Sequence, residues 1–384
     1  MPGPATSRTG TTGKRNNRLT MRVGLVIYGS LEFPSGGFLY DRMLVDSLRR
    51  AGDTVDLISL PWEGYGKCLA HGFDRRLRAR VLDWRGDILV QDELVHPSLF
   101  FLNRALRRTH SIPVVSIVHH LRASESAAGP RRVLARAVER AYLRTADGFV
   151  FNSAATRRAV QDLSGKWKPG VVVQPAGDRL GCRVSEDEAA SRAASPGPLQ
   201  VLFVGNLIPR KGLLTLLTAL AAMAPERWRL SVIGSRAADP GHARKVDAFV
   251  EERGLRDNVH VADHIDDRSL AGELRAHHVL AVPSRYEGFG IVYLEAMGNG
   301  VVPIGTRAGG ASEIIEHGAN GFLVPPGDHR ALAGILDRLA ADRAYLSDLA
   351  RAARTRFSAF PGWEQQMGRI VEFLHAMIDR GLTR

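Results

Sequence analysis

The sequence predicts an α/β protein built as two doubly wound parallel sheets facing each other across a cleft. Three observations predict it. Short apolar runs alternate with helical patterns from Met21 onward, a stretch rich in Pro and Ala interrupts them at residues 193–198, and the alternation then restarts. A chain of 384 residues is long for one core and comfortable for two, and 45% apolar residues fit an ordinary globular protein.

In the first half the strands are expected at Val23–Ile27, Val55–Ser59, Ile88–Val90, Val114–Val118, Gly148–Phe151 and Val171–Val173. Residues 1–20 are rich in Ser, Thr, Gly and Asn, carry Arg8, Lys14, Arg15 and Arg18 and no acid, and are expected to be a disordered leader outside the fold. Met21 then runs straight into the first strand. The first domain is set at 21–192 and the linker at 193–198, Ala-Ala-Ser-Pro-Gly-Pro. The second domain, 199–358, takes strands at Val201–Val204, Leu230–Ile233, Val259–Val261, Val279–Val282, Val301–Ile304 and Phe322–Val324. After Pro361-Gly362, residues 359–384 show a helical pattern through Ile370, Phe373, Leu374 and Ile378. Two Rossmann-like domains of this kind place a ligand outside the carboxyl ends of their strands.

Charge is unevenly spread. Residues 1–195 hold 30 Lys and Arg against 19 Asp and Glu, and the remainder 22 against 21, so nearly all of the net +12 lies in the first half. The stretch Arg131–Arg144 puts apolar residues at helical spacing with arginines around the other face. A solvated helix packed on a sheet is the reading weighed more heavily, and contact with an anionic membrane surface the sharper one. Nucleic acid is disfavoured because aromatics are not interleaved with the basic residues. No apolar run is long enough for a membrane span or a secretory signal, so a cytoplasmic protein is expected, at most peripheral on the membrane face. Cys68 and Cys182 are too few and too far apart for a disulfide framework or a zinc motif.

The most informative stretch is Pro283–Met297, where an apolar strand passes through a glycine-rich turn into a helix with a carboxylate on either side. Gly288 and Gly290 let the backbone turn so that the amides of Phe289, Gly290 and Ile291 open the helix, and free amides at a helix start attract phosphate. Glu287 in the loop and Glu295 one turn inside the helix can accept from the paired hydroxyls of a sugar. Arg210 and Lys211 follow a strand through a short loop and can reach the same strand ends. Gly36 and Gly37, after the first strand, would let the backbone approach a diphosphate ahead of a helix Leu39–Leu48. His119 and His120 end the strand Val114–Val118 at the cleft edge. No pair of aspartates ends a strand in a metal-binding arrangement, and Asp266-Asp267 read as a helix start, so neither metal nor other cofactor is expected.

The same stretch resembles the two-glutamate signature of family 4 of the retaining glycosyltransferases. The resemblance continues in Val201–Gly212 and in Gly309-Gly310-Ala311-Ser312-Glu313-Ile314-Ile315, in the family's order and spacing. It covers Leu199 to about Phe357 well, and the first half mainly at Gly36-Gly37, His119 and Pro175-Ala176-Gly177-Asp178. It implies the fold called GT-B, with the terminal helix crossing back to the first domain. It also implies metal-independent transfer from a nucleoside-diphosphate sugar to an acceptor hydroxyl with retention. Glu287 would position the donor sugar and Glu295 the ribose. The amides of residues 289–291 would hold phosphate or sugar, Arg210 and Lys211 would balance the leaving diphosphate, and His119 would contact the transferring sugar. Asn206 stands where many relatives carry Arg, His120 where they often carry Asp, and Ala176 where they usually carry Asn.

Two other readings remain open from sequence. A nucleotide-sugar epimerase of the same fold would need acid and base groups at the sugar carbon, and the first half offers no convincing carboxylate pair. A non-catalytic nucleotide-sugar-binding protein is favoured only by Asn206 and Ala176. Donor base, donor sugar and acceptor are not written in the motifs.

Overall fold

The structure is a computed structural model that describes residues 20–124, 130–181 and 184–382. The leader apart from residue 20, and Cys182, lie outside the described residues. Among these, twelve strands form two parallel six-stranded sheets. The first holds β1 (Arg22–Tyr28), β2 (Thr54–Leu60), β3 (Ile88–Asp92), β4 (Val114–Val118), β5 (Gly148–Phe151) and β6 (Gly170–Val172) in the order β2-β1-β3-β4-β5-β6. The second holds β7 (Leu199–Val204), β8 (Trp228–Ile233), β9 (Val259–Ala262), β10 (Val279–Ala281), β11 (Val302–Thr306) and β12 (Phe322–Val324) in the order β12-β11-β10-β7-β8-β9. Central strands such as β3, β4 and β11 are buried along their whole length, which explains their continuous apolar runs.

Strand order fixes where a ligand can enter. The order reverses between β1 and β3 in the first sheet and between β7 and β10 in the second, so a crevice opens beyond the carboxyl ends at each of these points. The loops after β1, β3 and β4 face the loops after β7 and β10.

Each lobe has its own core, and two segments join a lobe other than the one in which their sequence neighbours sit. Trp363, Met367, Ile370, Val371, Leu374 and Met377 of the terminal helix Trp363–Leu382 pack into the first lobe's core beside Leu44 and Leu48. The helix Glu186–Ala194 spans the end of the expected first domain, 21–192, and the start of the expected linker, 193–198. Its Ala189 and Ala193 lie in the second core, and it packs along the helix Arg343–Ser358. The chain therefore crosses between lobes ahead of Val184, and the Pro-rich break at 193–198 follows that crossing. Alanines allow this close helix pairing, but their own pattern does not say which core they join. No helix among the described residues is long and apolar enough to cross a membrane.

Candidate active site

One cleft of about 660 Å3 lies between the lobes, and all twelve residues singled out from the sequence line it. On the second lobe, Lys211 Nζ donates to Glu287 Oε2 at 2.8 Å and Ser284 Oγ donates to the same oxygen at 3.0 Å. Arg210 stands beside them, its Nη1 donating to the Tyr286 carbonyl at 3.1 Å. Burial alone would raise the Glu287 carboxyl, but Lys211 and then Arg210 hold it down to about 2. The carboxylate is thus ionised at any working pH and keeps the Lys211 ammonium at the cleft surface.

Gly290, with φ of 98°, caps the helix Ile291–Gly298, and Gly290, Ile291 and Val292 at its start line the cleft, where the amides of a helix's first residues lack a preceding turn to accept from them. The Phe289 side chain is buried in the second core, so this residue offers the site its backbone only. Asn206 lies in the loop after β7 and lines the cleft together with Gly205, Arg210 and Gly234.

Glu295 is not an open carboxylate. Arg179, from the segment joining the lobes, donates its Nε to Glu295 Oε1 at 2.6 Å and also pairs with Asp267. Burial pushes the Glu295 carboxyl up and the guanidinium opposes it. A ribose reaching Glu295 must therefore share or displace Arg179. Nothing in the sequence pointed to this arginine, because its partners lie far away in the chain.

Across the cleft, Gly36 and Gly37 occupy the first turn of the helix Gly36–Arg50 and not a loop ahead of it. Ser35 caps this helix by accepting from the Phe38 amide, so helical backbone starts earlier than Leu39. A Cβ on Gly37 would stand 3.1 Å from His119 Cδ2, which is how the helix start closes against the histidine. His119 Nε2 donates to Asp41 Oδ1 at 3.2 Å, and Asp92 lies behind the pair. Burial would lower the His119 pKa, but Asp41, Asp92 and Glu93 together raise it to about 9. Burial and then the neighbouring Asp41 push Asp92 up to about 7, so Asp92 keeps its proton towards neutrality. This corrects the expectation that the first half lacks a convincing carboxylate pair. Asp41 lies in the first helix and Asp92 at the end of β3, and only the sheet order brings them together. His120 lines the cleft one residue further on.

Among the described residues, two groups have ligand atoms close enough to hold a cation, Asp41, Asp92 and His119, and Glu93, His96 and Glu139. The chemistry of both sets fits shared protons as well as a metal. Burial and carboxyl neighbours raise Glu93 and Glu139 to about 8, and burial lowers His96 to about 4. Glu139 also accepts from the amides of Arg122 and Ala123 at 2.7 and 2.9 Å, which fixes the loop that follows His119-His120.

The lobes touch directly beside the site. Ser153 Oγ donates to the Gly288 carbonyl at 2.7 Å, and a Cβ on Gly288 would fall 2.0 Å from the His119 carbonyl oxygen. Glu313 of the Gly-Gly-Ala-Ser-Glu stretch accepts from the amides of Ala154 and Ala155 at 2.9–3.0 Å, at the start of the helix Ala154–Ser164 in the opposite lobe. A carboxylate at a helix N-terminus is stabilised by the helix dipole, so this contact ties the lobes together.

Residues 184–356 match the family described as Glycosyl transferases group 1, and residues 40–177 match Glycosyltransferase Family 4. A D-inositol 3-phosphate glycosyltransferase of Xylanimonas cellulosilytica is 38% identical over 43% of this chain and 39% of its own. A glycogen synthase of Mycobacterium tuberculosis is 29% identical over 73% of this chain and 66% of its own. The chain thus spans between 39% and 66% of the length of these two curated relatives. Among solved structures, sucrose-phosphate synthase from Thermosynechococcus elongatus superposes with a TM-score of 0.78 at 23% identity, covering 94% of this chain and 99% of that one. Anabaena Alr3699/HepE, solved in complex with UDP-glucose, gives 0.75 at 21% identity, covering 93% and 100%. These structural likenesses establish the two-lobed GT-B fold.

Proposed function

The chain belongs to family 4 of the glycosyltransferases, the group 1 type, and from that premise we propose that it moves a sugar from a nucleoside-diphosphate sugar to an acceptor hydroxyl, with retention and without a metal. The observation that carries this reading is the Lys211–Glu287 pair with Arg210 beside it, facing the amides that open the helix Ile291–Gly298. Fixed positive groups and helix-start amides suit a diphosphate whose negative charge grows as the sugar leaves. A uridine nucleotide is the first donor to try, because Anabaena Alr3699/HepE was solved with UDP-glucose.

In the proposed reaction the bond between the anomeric carbon and the diphosphate oxygen breaks, and the acceptor oxygen bonds to that carbon on the same face. The acceptor's proton passes to the departing diphosphate oxygen, so the protein supplies no base. Glu287, ionised and held by Lys211 and Ser284, orients donor hydroxyls. Protonated His119 faces the sugar from the other lobe, kept in place by Asp41. Arg210 and Lys211 carry the leaving charge that a metal would otherwise balance. If either acidic cluster needs a cation, chelation will abolish turnover and a divalent ion will restore it; the proposal expects chelated enzyme to keep its rate.

The Asp41, Asp92 and His119 cluster favours a second reading, an epimerase, since it supplies groups able to give and take protons near neutral pH. Asp41 is buried out of the cleft, however, and Asp92, which lines it beside His119, is only 1% exposed, whereas an epimerase needs its base open at the sugar carbon. Incubation with donor separates the two. Free sugar and nucleoside diphosphate, or a glycosylated acceptor, support transfer; an altered sugar still joined to nucleotide supports epimerisation.

A further inference from the structure

A second depression, about 510 Å3, lies on the outer face of the first lobe between the helices Leu102–Thr109 and Pro130–Leu143, and none of its lining residues lines the cleft. Five arginines surround it: Arg104, Arg107, Arg136, Arg140 and Arg144. Arg107 pairs with Asp147, and Arg144 Nε donates to the Ser164 carbonyl at 3.2 Å. Arg104, Arg136 and Arg140 are exposed around the groove. Two of the acids nearby are already engaged. Glu139 is buried and turned inward onto two loop amides, and Asp74 caps the neighbouring helix Arg75–Leu82, which adds exposed Arg75, Arg76 and Arg80.

Apolar side chains stand among these charges without a core to enter. Val133 is 70% and Leu134 53% exposed, while Phe73 at 75% and Phe101 at 44% form a ring pair with centroids 6.0 Å apart. Phe101 lies about one turn ahead of Arg104 in the chain. Arginines beside exposed aliphatic and aromatic tips match the boundary of a bilayer, where phosphates meet the guanidinium groups and the tips enter the headgroup layer. Nucleic acid would satisfy the arginines and leave Val133 and Leu134 in water.

We propose that this face docks on an anionic phospholipid bilayer. The helix Pro130–Leu143 carries the groove on its exposed side and, on its buried side, Glu139, which holds the loop after His119-His120. The inference concerns binding alone and stands whether or not the transferase reading does.

The test is flotation of the full chain with vesicles of phosphatidylcholine and with vesicles of phosphatidylcholine mixed with phosphatidylglycerol. Binding is expected only with the anionic mixture and should fall as salt rises. Replacing Arg104, Arg136 and Arg140 together by Gln should weaken it roughly 100-fold. The thermal unfolding midpoint should stay as in the parent, showing a folded variant. Equal partition into both vesicle types would overturn the proposal, as would a triple variant that floats like the parent. So would retention of the parent by single-stranded RNA with no vesicle binding.

Discussion

Replacing Lys211 by Ala tests the site where its electrostatics are most exposed to failure. The side chains of Lys211 and Glu287 are 18% and 14% exposed, so their attraction is only partly screened. Glu287 is held from its ordinary value of 4.5 down to about 2 against the cost of its burial. That net displacement corresponds to about 3 kcal/mol at most, shared between Lys211, Arg210 and Ser284. Losing Lys211 should therefore cost about 1–2 kcal/mol of stability, since Arg210 and Ser284 remain. The catalytic loss should be larger, about 100- to 1000-fold in kcat, as for removal of one preorganised group facing a developing negative charge. Donor hydrolysis and acceptor transfer give the rate, and thermal unfolding with and without UDP gives stability and binding. A second variant, Lys211→Ala with Glu287→Gln, should recover most of the lost stability and none of the activity. The reasoning fails if Lys211→Ala turns over like the parent, or if the double variant is no more stable than the single one.

Other expectations concern the lobe contact and the buried acids. Glu313→Gln removes a charge from the start of the helix Ala154–Ser164 and should cost about 1–2 kcal/mol; small-angle scattering should show a larger radius of gyration, and an unchanged profile would refute its role as a tie. Gly288→Ala must open the lobe contact by about 1 Å or more, because its Cβ would stand 2.0 Å from the His119 oxygen. A turnover loss of about 100-fold is expected, with Gly37→Ala milder at 3.1 Å from a side-chain atom, and equal activity in the two variants would contradict the geometry. His119, raised from 6.5 to about 9, adds stability that is complete below its ordinary value and is lost as pH rises towards 9. Asp92, Glu93 and Glu139, held protonated up to about 7, 8 and 8, favour the fold at low pH and withdraw that support as the unfolded chain ionises ahead of them. The melting temperature should thus fall between pH 6.5 and 9, above the range in which His96, lowered to about 4, adds stability as pH rises. Asp92→Asn should flatten that fall, and parallel curves would refute the reading of Asp92 as a carboxyl that burial keeps protonated.

What the sequence determined by itself was local and repetitive. Period and apolar runs place the strands, since a strand buried on both faces between helices can hardly be anything but continuously apolar. The turn Pro283–Met297 announces its amides and carboxylates because one short segment contains them all, and the pair Arg210-Lys211 follows from its place after a strand. The tertiary structure alone decided what depends on strand order and on packing between distant segments. Asp41 meets Asp92 only because β1 and β3 are neighbours, Arg179 meets Glu295 only because the chain crosses between lobes ahead of Val184, and Glu313 finds its helix start in the other lobe. The alanines of Glu186–Ala194 fit either core equally well in sequence, and the choice fell to the helix they lie against. Contacts between residues far apart carry no periodic signature, so the electrostatics that tune this cleft become visible only once the chain has folded.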